Sequence, residues 1–272
     1  AVDMASTLQV DGTINVDGKV GIGSSSTDEA QLLVRATDEY ATGTNYNEFG
    51  NLHVSTDTQG TDNGGTISMG GLGRQSGPTE YFKYAQLAGR AEAGDGSPKG
   101  YFTIETMSGV TNTSIESLRI ASTGEVIMPR QPAFNVNLDA DQTDLAINGR
   151  RTMEFDTERF DVNADFDVSN YTFTAPVTGK YQLNFSAQLS DFDGSSNFVG
   201  FHIETSNDIY MYYHHIGGGA NANADGSGGG ALSCLADMDA NDTAFCSIYQ
   251  HAGAAQLNVV YTGTSFNGYL AC

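Results

Sequence analysis

The side chains in this sequence best suited to chemistry form one run: Tyr210, Tyr212, Tyr213, His214 and His215. Aromatic faces stack on the C–H face of a sugar while imidazoles bond its hydroxyls, so the run reads as a carbohydrate platform. Its alternation sets Ile209, Met211 and Tyr213 on one side and Tyr210, Tyr212 and His214 on the other, which also fits a strand packed on its neighbour or at a subunit contact. One histidine near a threefold axis would supply three imidazoles to a metal without any motif. Asp191 and Asp193, in DFDGSSN, put carboxylates at alternate positions before a glycine. That spacing suggests calcium or ligand hydroxyls, but the twelve-residue calcium loop is absent and a surface turn explains it too. DADQTD, Asp139 to Asp144, is a similar candidate.

Cys234 and Cys246 flank an Asn241-Asp242 turn signal. In a hairpin where Met238 faces Asp242 they would be directly opposed on a core face. Both a cross-strand disulfide and two buried thiols are open readings. H-E-x-x-H, G-x-S-x-G and C-x-x-C do not occur. The G-I-G at Gly21 to Gly23 has no Lys-Ser/Thr after it and reads as a hairpin turn, not a phosphate loop. Acidic pairs are everywhere and identify no glycosidase pair, so no catalytic residue, resident metal or cofactor is assigned, with calcium the one ion kept in view.

What must position these side chains is an acidic, glycine-rich chain of 272 residues with a formal charge of −21, 33 glycines and no tryptophan. Aromatics reach 10%, too many for a disordered acidic tail. No Lys or Arg follows Lys180, while eight acids do. Phosphate neutralisation needs clustered cations, so nucleic acid is not an expected partner, nor is an anionic membrane surface. No apolar run is long enough to span a bilayer. The first residues, AVDMASTLQVDG, lack a basic-then-apolar leader, so synthesis and assembly in a cytoplasm are expected.

Strict alternation is the commonest pattern, and helical periodicity is absent. In YQLNFSAQLS, Tyr181, Leu183, Phe185, Ala187 and Leu189 share one face. FHIETS puts Phe201 and Ile203 together, and QLNVVY does so for Leu257, Val259 and Tyr261. Turn signals fall at Thr178-Gly179, Asp193-Gly194, Asn241-Asp242 and Gly263-Thr264. The expectation is an all-β chain of sandwich or barrel type. Pro129 and Pro132 mark a change from short Gly/Thr-rich strands to longer aromatic ones. They divide the chain into an N-terminal attachment segment and hairpin (1–23), a β-rich region (24–128) and a C-terminal domain (129–272). INVDGKVGIG (14–23) and RIASTGEVIM (119–128) form a weak internal repeat of hairpins. Such hairpins are marginal alone and point to neighbouring copies completing a core.

From Asn15 to Met128 the motifs GKVGIG, LLVRAT, GGTISMGG, AGRAEAGDGSPKGYFTIET and the hairpin from Glu116 to Val126 occur in an order that resembles the shaft or neck of tailed-bacteriophage fibres. From Pro132 onward, PAFNV, MEFDTERFDVNADFDVSNYTFTAPVTGKYQLNFSAQL, ALSCLADMDANDTAFCSI and SFNGYLA resemble the globular head of the first complement component, a jelly roll of the tumour-necrosis-factor type. Asn241-Asp242 replaces that family's usual Gly-Asp.

Together the resemblances imply a homotrimer: a trimeric β shaft carrying ten-stranded jelly-roll heads. In TAFCSIY the core face would be Ala244, Cys246 and Ile248, leaving Phe245 and Tyr249, with Tyr269 of the last strand, for the trimer interface. The implied role is a non-enzymatic tail fibre at the virion surface, held by other virion proteins at its N-terminus. It would bind a host-surface glycan or protein through loops at Asp191–Asn197, Asn207–His215 and Gly217–Gly230. A capsid fibre or decoration protein without a receptor is the alternative. A polysaccharide depolymerase and a bacterial surface adhesin stand further off.

Overall fold

The computed structural model describes residues 54–56, 60–73, 80–93, 99–107, 113–215 and 226–272. Every regular element among them is a β-strand. The hairpin of residues 14–23, the LLVRAT segment and the first attachment residues lie outside the described residues.

Five strands form one antiparallel meander: β1 (Thr66–Gly73), β2 (Glu80–Ala91), β3 (Gly100–Met107), β4 (Ser114–Ile120) and β5 (Val126–Ile127). Thr123-Gly124, in the second copy of the hairpin repeat, makes the β4–β5 turn. Gly124 has φ +98°, a left-handed conformation that glycine adopts without strain, and its N–H donates to the Ala121 carbonyl at 2.9 Å.

Eleven further strands follow: β6 (Ala133–Asn137), β7 (Arg150–Thr152), β8 (Thr157–Asp161), β9 (Phe166–Asp167), β10 (Thr172–Thr174), β11 (Gly179–Phe192), β12 (Phe198–Thr205), β13 (Ile209–His215), β14 (Gly226–Met238), β15 (Thr243–His251) and β16 (Asn258–Leu270). One sheet runs β14-β11-β16-β6-β8, the other β13-β12-β15-β10-β9 with β7 beside β15. Taking the eight principal strands in chain order, the first pairs the eighth (β6–β16) and the second the seventh (β10–β15). The third pairs the sixth (β11–β14) and the fourth the fifth (β12–β13). This nesting, with the pairs alternating between two sheets, defines a jelly roll. The short strands β7, β8 and β9 bring the count among the described residues to eleven, against the ten expected.

Alternation built this core as the sequence implied. Tyr181, Leu183, Phe185, Ala187 and Leu189 of β11 are all buried, as are Phe201 and Ile203 of β12 and Ala244, Cys246 and Ile248 of β15. Phe134 stacks on Phe173 with centroids 4.6 Å apart and meets Phe266 edge-on at 5.0 Å. The buried Tyr181 hydroxyl donates to the Val177 carbonyl at 2.7 Å, so its burial leaves no polar group unpaired.

Four expectations change. Gly263-Thr264 is not a turn. It lies inside β16, where the register shifts between the Ser186 and Gln188 pairings. A Cβ on Gly263 would sit 2.5 Å from Gln188 Oε1, so the glycine admits that side chain over the bulge. The shift turns Tyr261 outward, away from buried Leu257 and Val259. The glycine-rich stretch is not wholly loop either, because Gly226–Gly230 opens β14 and pairs with the end of β11. A Cβ on Gly230 would lie 2.6 Å from the Phe201 ring, so glycine there makes room for a core aromatic. Ile209–His215 is strand β13, leaving only the residues just before it as a turn.

The fourth change concerns the thiols: Cys234 and Cys246 do not face each other across a hairpin. Cys234 pairs opposite Leu183 in one sheet and Cys246 opposite Ile203 in the other. The Asn241-Asp242 turn, with Asn241 at φ 77°, carries the chain across the sandwich between them. Both thiols are free. Burial pushes Cys234 up to about 11 and Cys246 well above the usual thiol value, so neither is a thiolate at neutral pH.

Candidate functional site

The sandwich has two outer faces. On the β13-β12-β15 sheet the register sets outward residues in rows: His215, Phe198 and His251 across one row, Tyr213, Gly200 and Tyr249 across the next, then Met211, His202 and Ser247. Phe198 is the hub of a ring cluster. His251 stacks on it at 4.7 Å with planes 7° apart, and Tyr213 meets it edge-on at 4.8 Å. His215 lies at 5.8 Å and Tyr249 at 6.0 Å. Asn197 Nδ2 lies 3.1 Å from His251 Nδ1. Tyr213 stays 39% exposed, so its ring is available from outside.

Gly200 lies between the two tyrosines because a Cβ there would meet the His202 and Tyr213 rings at 2.8 and 2.9 Å. His202 is covered, and its Nδ1 has no partner. Burial first, then the Arg150 guanidinium, lowers its pKa below the ordinary histidine value, while Glu204 opposes the shift. Arg150 Nη1 donates to Glu204 Oε2 at 3.0 Å, and the Ser247 hydroxyl bonds to the same carboxylate.

The second outer face belongs to β14-β11-β16. Its outward side chains bond to each other. Asn184 Nδ2 donates to Asn267 Oδ1 at 3.0 Å, and Ser186 and Ser265 hydroxyls lie 3.0 Å apart. Ser233 Oγ donates to Asn184 Oδ1 at 2.8 Å, and Gln182 Nε2 to Ser233 Oγ at 2.8 Å. Leu235 and Tyr269 flank Gln182 in the register, 55% and 49% exposed. No charge interrupts this patch; Lys180 and Asp237 pair at one end of it, 2.5 Å apart. A shallow depression of about 220 Å³ opens against Asn184, Ser186, Ser233 and Asn267.

The residues singled out from the sequence are thus sorted by strand parity. Tyr213 and His215 share the ring-bearing face with Tyr249, which the sequence had placed at a trimer contact. Tyr210 turns to the core, and Tyr212 points to the same side, 6.1 Å from Phe201. His214 shares their parity on β13. Phe245 is outward on the ring-bearing sheet and Tyr269 on the opposite one, so Phe245, Tyr249 and Tyr269 do not form one patch. Phe198, His202 and His251 were missed. The alternation of F-V-G-F-H-I and of T-A-F-C-S-I-Y-Q-H carries them, but only the pairing of β12 with β15 puts them together.

Asp193 organises a turn. Its carboxylate accepts Ser195 N at 2.8 Å, Ser195 Oγ at 2.7 Å and Ala255 N at 2.8 Å, and also the Ala254 N–H. These bonds, the Ala255 amide first, hold its pKa well below the usual carboxylate range. Asp191 takes the Asn258 amide. Asp141 Oδ1 accepts Tyr261 N at 2.8 Å and Asp156 Oδ1 accepts Asp139 N at 2.8 Å, so the DADQTD stretch is tied into loop bonding as well. Among the described residues no group of three or more His, Cys, Asp or Glu converges on a metal position. Asp242 ties two turns together by accepting Ser206 Oγ at 2.7 Å and Asp239 N at 2.7 Å.

The class these observations define is an all-β protein with a jelly-roll sandwich. No protein-family model matches the sequence, and no curated protein is similar to it. Among solved structures the chain is similar to the globular domain of zebrafish complement 1qA protein. The two are 18% identical with a TM-score of 0.37, over 52% of this chain and 98% of that one. Murine APRIL matches the same shares at 9% identity and a TM-score of 0.37. The jelly-roll assignment rests on the nested strand pairing.

Proposed function

We propose that this chain is a trimeric, non-enzymatic fibre protein of a tailed bacteriophage whose jelly-roll head binds a neutral glycan or a protein on the host surface. The observation that carries the binding half is the ring cluster around Phe198. Tyr213, His215, Tyr249 and His251 offer π faces and imidazole nitrogens on the outer face of a rigid sheet, the combination that suits a sugar's C–H face and hydroxyls. The chain carries a net charge of −21 and no Lys or Arg after Lys180, so the head does not attract an anionic envelope, and stacking and hydrogen bonds must supply the affinity. Three heads on one fibre multiply a weak single-site affinity.

The trimer is assigned to the opposite face. Copies of so acidic a chain can meet closely only where they carry no charge, and the Gln182-Asn184-Ser186 face with Leu235 and Tyr269 is such a surface. The virion role is supported by the order of fibre-like motifs, two of which supply β1, the end of β2 and β3, and a third the β4–β5 hairpin. The test is binding of the purified full chain to host cells. Tyr213→Ala should abolish it without changing the assembly. Undiminished binding by Tyr213→Ala overturns the site, and release of reducing ends from host polysaccharide overturns the non-enzyme reading.

A further inference from the structure

Of the described histidines only His202 is buried, and the recognition reading leaves it without a task. It lies in the outward row Met211-His202-Ser247, yet it is 1% exposed and its Nδ1 has no hydrogen-bond partner. No ligand reaches a nitrogen so covered, so this lone pair is not a recognition element. Buried polar atoms are normally paired, and an unpaired one marks a place where the fold is held in tension. The nitrogen can take a proton only where its surroundings give way, because a charged imidazole left unpaired in that position is costly.

Two groups of side chains meet at His202. On one side is an ion pair: Arg150 Nη1 donates to Glu204 Oε2 at 3.0 Å, and the Ser247 hydroxyl holds the other carboxylate oxygen. The Glu204 side chain is 14% exposed and that of Arg150 43%. On the other side is the ring-bearing face. The Tyr213 ring meets the imidazole edge-on at 6.0 Å, and both rings close over Gly200, where a Cβ would come within 2.8 Å of His202 Cε1 and 2.9 Å of Tyr213 Cε1. Tyr213 in turn makes the edge contact with Phe198. The titratable and charged groups around the imidazole are therefore Arg150 from β7, Glu204 on its own strand, Tyr213 from β13 and Tyr249, diagonal to it on β15, while its row partners Met211 and Ser247 are uncharged.

We infer that mild acid opens the ring-bearing face: a proton on His202 draws Glu204 away from Arg150, and the shift unseats Tyr213 from Gly200 and Phe198. The inference rests on the recognition reading of that face, to which it adds a means of release. With His202 neutral, the set holds one cation and one anion. A proton makes two cations for one carboxylate, in a place with little water to screen them. Arg150 is the member with a path to solvent, since Ser247 helps to hold Glu204. Burial and the Arg150 charge set the closed form against the proton, while Glu204 favours it. The closed form therefore binds the proton less well than the open one. It is favoured at neutral pH and loses ground as pH falls below the ordinary histidine value of about 6.5.

The test is amide hydrogen exchange of the full chain at about pH 7.5 and about pH 5, with each rate divided by its intrinsic rate at that pH. Protection across residues 198–204 and 209–215 should fall by roughly tenfold or more at the lower pH, while residues 181–189 of β11 keep theirs. In His202→Gln that fall should be absent. In Arg150→Gln, where the charge that resists the proton is gone, it should set in at higher pH. Equal protection of the unaltered chain at both pH values overturns the switch, and so does the same loss in His202→Gln, which would assign it to His215 or His251. Binding to host cells, read in parallel, judges the recognition reading separately. The unaltered chain should release cells at the lower pH while His202→Gln keeps the fraction that it binds at the higher one, and equal release by both counts against His202. Full binding by Tyr213→Ala at the higher pH removes the recognition reading, and the exchange result alone then decides whether acid opens the face.

Discussion

The two outer faces of the sandwich come from the same strand alternation and carry opposite chemistry. On β14-β11-β16 the outward positions are amides and hydroxyls that satisfy one another, such as Asn184 with Asn267 and Ser186 with Ser265. On β13-β12-β15 they are rings gathered on Phe198, with imidazoles in the row beside the tyrosines. A self-satisfied, uncharged amide surface loses little on being covered, because few of its groups depend on water. A ring surface with unused nitrogens gains most from a ligand that brings both C–H groups and hydroxyls. The difference assigns assembly to one face and recognition to the other, although both are open to solvent in a single copy.

The largest expected effect is on assembly. Asn184→Asp removes the amide that donates to Asn267 and sets a carboxylate in the middle of the uncharged face of every copy. Assembly should weaken by roughly a hundredfold or more, read by sedimentation, while each isolated head keeps its ring cluster and only its weak single-site affinity. Tyr213→Ala is the mirror experiment. A loss of roughly 1 kcal/mol at each of three sites multiplies to about a hundredfold in avidity, read as lost cell binding with the trimer intact.

A smaller effect comes from acid. His202 is held neutral in the folded state because its pKa lies below the ordinary value. The unfolded chain therefore binds its proton first, and stability falls as pH drops below about 6.5. The melting temperature should fall by a few degrees between pH 7 and pH 5, and His202→Gln should flatten that slope. Asp193 gives the smallest effect. Its folded pKa is depressed, so its contribution is present above about pH 4 and is lost on further acidification. Asp193→Ala should cost roughly 1 kcal/mol after allowance for solvent screening, seen in thermal unfolding and as faster hydrogen exchange at the Ala254 and Ala255 amides.

Much of this organisation was legible in the sequence. Period-two alternation named the inward residues of β11, β12 and β15 because each strand faces a single core. What alternation does not contain is which strand lies beside which. Cys234 and Cys246 were set opposite each other because a four-residue turn suggests a hairpin, whereas in a jelly roll the same turn crosses between sheets. Tyr249 was grouped with Tyr269 for a related reason: both point outward, and outward names two surfaces in a sandwich. The ring cluster was half visible, since Tyr213 and His215 are adjacent in sequence to other conspicuous rings while Phe198 and His251 are 53 positions apart and meet only through the β12–β15 register. Asp193 resembled a cation ligand because spacing shows where a carboxylate is and not how many N–H groups already reach it. In β3 the buried side chains include Thr103 and Glu105 while Phe102 is exposed, a polarity hidden in the sequence because apolar and polar residues alternate there as in any half-buried strand.

The division of labour is tested most directly by the mass of the full chain in solution, measured side by side for the unaltered protein, Asn184→Asp and Tyr213→Ala. The account predicts three times the 28.8 kDa chain mass for the unaltered protein and for Tyr213→Ala, with dissociation of Asn184→Asp at the same concentration. An unaltered chain that sediments as a monomer, or an Asn184→Asp variant that stays fully assembled, would contradict it.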